Sequence, residues 1–517
     1  MKVNSVRAKS WTTLDTQSVT VQYHNYPPMQ KFSSAYTREY FNRFENATVG
    51  SLQLFADNID ETFLKTRASL LAVEDVSRDH VRNAIIIVYE VIYANQGREA
   101  IARVAQRRRK PSEEAKPAML LLAQDPMLPR LDVVYGGRSP YFAAPFVGIY
   151  HPVFARFIRT VATPPDQLNL TSQELEWAYS LVAQSSSLLH TQADAHMPHI
   201  IAMDSGIALA GTVHMQLGHD LLGTFPLLVE IENEIGEGDS DPADHAACDY
   251  VAVHTASENK KLRDISCCPA LLVGIIGPRL IVCGAVYTDT LVVQELTCYN
   301  TLGNCATVNH RGSTDDAVYR AARLLRALKA GVRELLEYYQ ELWSVYGHCG
   351  ERCALCHCPP TPEHPHFRKF SIGATTVKLE YVERLAGANP RRAVFKARVV
   401  DFDPPPSSPA ELASLPPTNG YVAVKFTPWY SGDAHALLAQ QSPPAVTWIG
   451  ALRTAVEVLH EHGFVFGNLY GDNVFVPCEK LDEVRLVDFD LAGRAGQVRY
   501  PSNFYMERAD MWPWHPG

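Results

Sequence analysis

The stretch that decides how the C-terminal part of this chain folds is Phe466–Asn473, FGNLYGDN. It runs directly into the apolar residues Val474–Val476. A second motif, Asp488–Asp490 (DFD), begins fifteen residues after Asn473 and follows the strand-like residues Val484–Val487. The pattern predicts two short strands, with Asn473 at the start of the first and the DFD motif after the second.

Three further strands are predicted upstream of this stretch, from short runs rich in β-branched and aromatic residues. Their ranges are Val377–Arg384, Ala393–Val400 and Tyr421–Thr427. The third contains Lys425 in the pentapeptide VAVKF, and a turn between the first two contains Gly387. The proline-rich residues 403–420 are predicted to form a loop.

Taken in order, these elements resemble the signature motifs of a protein kinase, V-A-I-K, H-R-D-L-x-x-x-N and D-F-G. The resemblance implies that Lys425 neutralises the phosphates of ATP and that Asn473 and Asp488 hold its Mg²⁺. It also implies that Gly387 remains from a glycine turn that covers the phosphates. Asn468 stands at the position of the catalytic aspartate.

Several departures from the kinase pattern argue against normal phosphotransfer. Asn468 cannot accept the proton of a substrate hydroxyl as a carboxylate does. The helix predicted at Gly432–Gln440 offers Asp433, but no glutamate to pair with Lys425. Only 43 residues separate Lys425 from Asn468, and the sequence ends 29 residues after Asp488. We therefore expect a pseudokinase that acts by binding; a weakly active protein kinase is the alternative.

The residues that follow the DFD motif resemble one particular group of kinase-like proteins. Gly493–Pro501 and Trp514–Gly517 resemble fungal-type kinase-like proteins, including those of Crinkler-like architecture. Proteins of that family end soon after the DFD motif, so the early end of this sequence resembles a family trait. The short interval 425–468 does not, and it implies an internal deletion or an error in the gene model. Given Asn468 and the short interval, the favoured interpretation of Lys425, Asn473 and Asp488 is that they only stabilise the fold.

The middle of the chain predicts a sheet flanked by helices. Helices are expected at Ser172–Thr191 and Asp316–Tyr346. Short β-rich runs are expected between them, at 200–203, 206–209, Pro226–Ile231, Ala270–Ile276, Leu280–Val286 and Thr290–Leu296. The segment Phe225–Gly236 resembles part of the restriction-endonuclease-like domain found beside fungal kinases, over roughly residues 170 to 310. The predicted architecture of this region is α/β.

This second resemblance places Glu230 at the metal-binding glutamate of an E-x-K motif on a central strand, with Glu232 replacing the lysine. The upstream carboxylate stays open between the Pro198-His199 position and Asp204. Because Glu230, Glu232 and Glu234 alternate along one strand, a solvated edge face is the favoured interpretation. A metal-dependent nuclease that binds nucleic acid through this domain is the alternative.

A cysteine-rich linker precedes the kinase-like part. Cys349–Cys358 contains the C-x-x-C pair Cys353 and Cys356, which has the spacing of zinc ligands. The usual second cysteine pair is absent, although His364 and His366 could take its place. Reduced linker thiols are favoured over structural zinc. Cys267 and Cys268 are expected to pack in a core.

The bulk properties exclude some classes of protein. A net charge of -9 argues against a protein that coats nucleic acid generally, and no signal peptide or membrane span is evident. We expect a soluble intracellular α+β protein, with no indication of a protein partner. Its regions are a mostly helical 1–165, an α/β nuclease-like 166–346, a linker 347–366 and a truncated kinase-like 367–517.

Overall fold

The computed structural model describes part of the chain. The described residues are 4–7, 18–23, 98–124, 132–136, 142–185, 224–232, 240–303, 306–307, 310–311, 313–346, 362–372, 375–385, 393–405, 415–427, 429–441, 448–469, 473–476 and 484–498. They form a mixed helix and sheet structure, which confirms the α+β class. The chain divides into unit 1, residues 1–28, 367–387 and 392–517, and unit 2, residues 29–366 and 388–391.

The strands and helices are numbered along the chain. The strands are β1 (Asn4–Arg7), β2 (Ser18–Tyr23), β3 (Val134–Tyr135), β4 (Leu227–Glu232), β5 (Ala270–Ile276), β6 (Arg279–Tyr287), β7 (Leu291–Glu295), β8 (Asn300–Thr301), β9 (Ala306–Thr307), β10 (His310–Arg311), β11 (Lys369–Ile372), β12 (Thr375–Arg384), β13 (Ala393–Asp403), β14 (Tyr421–Thr427), β15 (Phe464–Val465), β16 (Val474–Phe475), β17 (Arg485–Leu486) and β18 (Gly493–Arg494). The helices are α1 (98–105), α2 (Pro111–Glu114), α3 (Pro117–Ala123), α4 (Pro152–Ala162), α5 (Ser172–Ser185), α6 (Pro242–Thr255), α7 (Lys260–Ile265), α8 (Thr314–Tyr346), α9 (Gly432–Gln441) and α10 (Trp448–Glu461).

Unit 1 is built on an antiparallel sheet with the strand order β1-β2-β14-β13-β12-β11. The inward residues of β12 and β13 alternate with exposed ones, as expected for a sheet with one buried face. Two strands from the start of the chain continue this sheet beyond β14. In β2, Val21 lies opposite Val424 of β14 and Val6 of β1, so β2 is an interior strand.

A compact apolar cluster lies among α9, α10 and the short strands of unit 1. Phe489, the aromatic residue of the DFD motif, is fully buried in it. Its ring stacks on His435 at a centroid distance of 4.8 Å and meets Phe466 edge-on at 5.0 Å. The FGNLYGDN and DFD motifs therefore pack against each other through Phe466 and Phe489.

Unit 2 contains a second sheet, with the order β3-β7-β6-β5-β4 and β8 paired to β6. Strands β4 and β5 are parallel, and the chain between them contains α6 and α7. Strands β5, β6 and β7 follow as an antiparallel meander. Among the described strands, β4 is therefore at the end of the sheet, whereas the endonuclease resemblance places Glu230 on a central strand.

Helices cover both faces of this sheet. A Cβ on Gly274 of β5 would lie 2.8 Å from the backbone nitrogen of Ala243, so α6 approaches one face closely. A Cβ on Gly331 of α8 would lie 2.8 Å from Leu271. Residues 271 and 274 point to opposite faces because side chains alternate along a strand. Unit 2 is thus a layer of sheet between two layers of helix.

Periodicity located many elements well. The three strands predicted around Lys425 are β12, β13 and β14, and the long helix predicted from Asp316 is α8; these predictions are confirmed. Strand β5 has the predicted bounds Ala270–Ile276. The β-rich runs predicted at 200–203 and 206–209 lie outside the described residues. Among the helices that the structure describes, none combines the length and apolar character needed to cross a bilayer.

Candidate functional site

The motif residues of unit 1 meet around Lys425. Its ammonium group pairs with a carboxylate oxygen of Asp488 and lies 2.7 Å from Oδ2 of Asp490. The Lys425 and Asp488 side chains are largely buried, with 13% and 12% of their surfaces exposed. Because β14 positions the lysine while the segment after β17 positions both aspartates, the contact joins parts of the chain that are far apart in sequence.

Two carboxylates compete for this one lysine. Burial is the main cause that raises the pKa of Asp490 from 3.8 to about 6, and the negative charge of Asp488 adds to the effect. The charge of Lys425 opposes both. Asp488 itself has a φ of 70°, in the left-handed region that aspartate tolerates better than most residues. Two carboxylates therefore share one ammonium group, and a cation bound beside them would be stabilised by their negative charge.

A short hairpin brings Asn473 beside these aspartates. Val474 pairs with Leu486, and the backbone N–H of Val487 donates to the carbonyl oxygen of Asn473 at 3.0 Å. Asn473 is thus opposite the residue that precedes Asp488. The two polar residues that the sequence places beside β16 and β17 are brought together by β-pairing.

Asn473 is 2% exposed, and only the nitrogen of its side-chain amide is hydrogen-bonded to a described residue. Its Nδ2 donates to the carbonyl oxygen of Asn468 at 2.9 Å, which closes the loop between them. Its Oδ1 accepts no hydrogen bond from the described residues. A buried amide oxygen without a donor is an expected ligand for a cation such as Mg²⁺. Asn473 and the neighbouring carboxylates therefore fit the metal implied by the kinase resemblance.

The other residues predicted for the site in unit 1 lie in different surroundings or outside the described residues. Asn468 is half-buried at the start of the loop. Gly387 lies outside the described residues. Asp433 is exposed at the start of α9, whereas Lys425 pairs with Asp488 and Asp490, so the lysine has carboxylate partners that the sequence did not indicate.

Unit 2 contains a second group of ionisable residues, centred on Glu230. Strand β4 carries Glu230, and α6 carries His245 and Asp249 one turn apart. Nδ1 of His245 lies 3.4 Å from Oε2 of Glu230, and Nε2 lies 3.9 Å from Oδ2 of Asp249. One ligand atom from each of the three residues lies within 4.8 Å of the other two.

Glu230 is not on a solvated edge face, so that interpretation is wrong for this residue. Glu230 lies opposite Gly274 of β5, and α6 covers that face of the sheet. The Glu230 side chain is 20% exposed. Burial, a hydrogen bond to Asp249 and the charges of Asp249 and Glu232 raise the pKa of Glu230 from 4.5 to about 9. Two carboxyl groups this close together and this buried disfavour carrying two negative charges unless a cation lies beside them.

Sequence reasoning found Glu230 but missed His245 and Asp249. Their i, i+4 spacing in a helix that directly follows β4 was the available signal. Of the other carboxylates considered, Glu232 is half-buried at the end of β4, whereas Glu234 and Asp204 lie outside the described residues. Within the part of the chain that is described, no lysine or arginine forms an ion pair with Glu230 or Asp249.

Two adjacent cysteines of unit 2, Cys267 and Cys268, serve packing. Cys267 and Cys268 are buried, as predicted, and burial is the main cause that raises their pKa values to about 12 and 11. Such thiols stay protonated and unreactive. The Cys349–Cys358 cluster lies outside the described residues.

Comparison with known proteins adds no relative. No protein-family model, no curated protein and no solved structure matches this chain.

Proposed function

We propose that unit 1 is a kinase-like module that binds a magnesium-bound nucleotide and transfers phosphate poorly or not at all. The observation that carries this proposal is the meeting of Lys425 with Asp488, beside the buried amide of Asn473. A lysine, a carboxylate and an amide oxygen are the groups that kinase-like proteins use for phosphates and Mg²⁺. The proposal extends to membership of the fungal-type kinase-like proteins.

Lys425 would position the nucleotide phosphates, and Asn473 Oδ1 and a carboxylate oxygen of Asp488 would hold the metal. In the structure, Lys425 is engaged with both aspartates. A phosphate group would compete with Asp490 for the ammonium group, and the metal would neutralise the released carboxylate. Nucleotide and metal should therefore bind together, since either one alone leaves a buried charge without its partner.

Poor phosphotransfer follows from Asn468. The neutral side-chain amide of Asn468 stands where the resemblance expects a carboxylate. The backbone carbonyl oxygen of Asn468 accepts the hydrogen bond from the Asn473 side chain. The loop thus keeps a link to the metal-binding residue while lacking the group that would take the proton of an attacking hydroxyl. Binding without turnover is the activity that this arrangement favours.

A thermal-shift titration of the full chain with ATP and Mg²⁺ tests the proposal. Saturation at about a hundred times the dissociation constant stabilises a protein by about 2.7 kcal/mol, which raises its melting temperature measurably. Asp488→Asn should abolish the magnesium-dependent shift, whereas Asp433→Asn, an exposed carboxylate of the same unit, should retain it. A flat response of the wild-type chain at millimolar ATP, or an equal shift in Asp488→Asn, would refute a magnesium-nucleotide site here.

A further inference from the structure

The residues Glu230, His245 and Asp249 form the strongest group of potential ligands outside the proposed nucleotide site. They come from two elements that are packed together, β4 and α6. The start of α6 is held in place by Asp241, whose side chain accepts a hydrogen bond from the N–H of Ala243 at 2.9 Å. The absence of a side chain at Gly274 lets the helix lie close to the sheet. The three ligands are therefore carried by well-packed elements rather than by a loop.

The chemistry of the group is that of a cation site. Two carboxyl groups lie in contact, and an imidazole ring lies between 3 and 4 Å from each of them. Their side chains are 20%, 20% and 12% exposed, so solvent and small ions reach them. Because no lysine or arginine pair neutralises these acids among the described residues, a bound cation would supply the missing positive charge.

We propose that Glu230, His245 and Asp249 bind one divalent transition-metal ion, such as Mn²⁺ or Zn²⁺. One imidazole and two carboxylates suit these ions better than Mg²⁺ or Ca²⁺, which prefer oxygen ligands alone. Ligand-to-metal distances of about 2.0–2.2 Å require the three groups to move together slightly, since their ligand atoms are now within 4.8 Å. Three protein ligands leave coordination positions open to water or to a substrate oxygen, which is typical of catalytic rather than structural sites.

The test is a titration of the metal-free full chain with Mn²⁺, in which free Mn²⁺ is counted by electron paramagnetic resonance. Mn²⁺ is chosen because it avoids thiolates, which limits binding to the linker cysteines. The chain carries Asp488→Asn, Cys353→Ser and Cys356→Ser, so that the other candidate sites do not contribute. We expect one bound Mn²⁺ per chain, displaced by Zn²⁺ at lower concentration because the affinity order places Zn²⁺ above Mn²⁺.

Two variants decide whether the bound ion uses these residues. His245→Gln and Asp249→Asn should each weaken Mn²⁺ binding at least tenfold, whereas His460→Gln, an exposed histidine of unit 1, should leave it unchanged. Near-ultraviolet circular dichroism without metal checks that both variants are folded. Unchanged Mn²⁺ affinity in both folded variants, or no binding at millimolar Mn²⁺, would overturn the proposal. Displacement by Mg²⁺ as readily as by Zn²⁺ would contradict the assignment to transition metals.

Discussion

The ammonium group of Lys425 lies 2.7 Å from Asp490 and also pairs with Asp488, so one lysine neutralises two aspartates of the DFD motif. This relationship links a lysine of β14 to both carboxylates that follow β17. The stability of unit 1 and the nucleotide binding proposed for it should therefore both depend on the Lys425 side chain.

Lys425→Met should destabilise unit 1 by about 2 kcal/mol at pH 7.5, because it removes the ammonium group that pairs with two largely buried carboxylates. The double variant Lys425→Met/Asp490→Asn should recover part of this loss, since one of the charges is removed. Urea denaturation followed by tryptophan fluorescence measures both. Equal stability of the wild-type chain and Lys425→Met would show that the ion pairs contribute nothing to folding.

The loss of stability caused by Lys425→Met should be smaller at pH 5 than at pH 7.5. The pKa of Asp490 is raised to about 6 in the folded chain, above its usual 3.8. A carboxyl with a raised pKa favours folding when protonated, and this contribution is lost as the pH rises through 6. The stability difference between Lys425→Met and wild type should therefore shrink between pH 7.5 and pH 5. A difference that grows on acidification would contradict the raised pKa.

Asn468→Asp should restore the missing carboxylate of the loop. If unit 1 binds magnesium and nucleotide as proposed, a general base at this position should raise ATP turnover by about a hundredfold over the background of the wild-type chain. Release of radiolabelled phosphate from ATP, and its transfer to the chain itself, measures this gain. The matched control is Asn468→Asp with Asp488→Asn, which should show no gain because the metal ligand is lost.

Val21→Pro should destabilise unit 1, because Val21 is paired on both sides, to Val6 and to Val424. Proline has no N–H to donate to a ladder and is disfavoured inside a sheet, and a loss of about 3 kcal/mol is expected. Ser18→Pro, at the first residue of β2, is the control and should be better tolerated. Similar melting temperatures for both variants would show that β2 is not an interior strand.

Acid should destabilise unit 2 through buried histidines. His254 is fully buried against Tyr250 and Phe225, and burial lowers its pKa from 6.5 to about 3. His151 and His366 have pKa values lowered to about 3 and about 4, also chiefly by burial. Because the folded chain binds fewer protons than the unfolded chain between pH 6.5 and 3, stability present at neutral pH is lost on acidification.

The variant His254→Phe tests this directly, because phenylalanine keeps the aromatic contacts and cannot bind a proton. At pH 5, His254 alone should account for about 2 kcal/mol of the stability lost relative to pH 7.5. Denaturation midpoints at the two pH values should therefore differ less in His254→Phe than in wild type. His460→Phe, which changes an exposed histidine, should keep the full difference.

Local patterns in the sequence were sufficient for most of the described secondary structure. Alternating apolar residues predicted β12, β13 and β14, and a helical pattern predicted α8. These features could be predicted because they depend on neighbours in the chain, whose side chains repeat with the period of the element. The strands β1 and β2 were missed because their place in the sheet depends on pairing with residues about 400 positions away.

The candidate sites show the same division. By itself, the sequence singled out Lys425, Asn473 and Asp488 as candidate site residues of unit 1, because they stand in ordered motifs. Only the tertiary structure decided that Lys425 pairs with Asp490, and that α6 places His245 and Asp249 against Glu230. The reason is physical. Charge pairing and burial depend on distances across the fold, and these distances are set by packing between elements that the linear pattern does not connect.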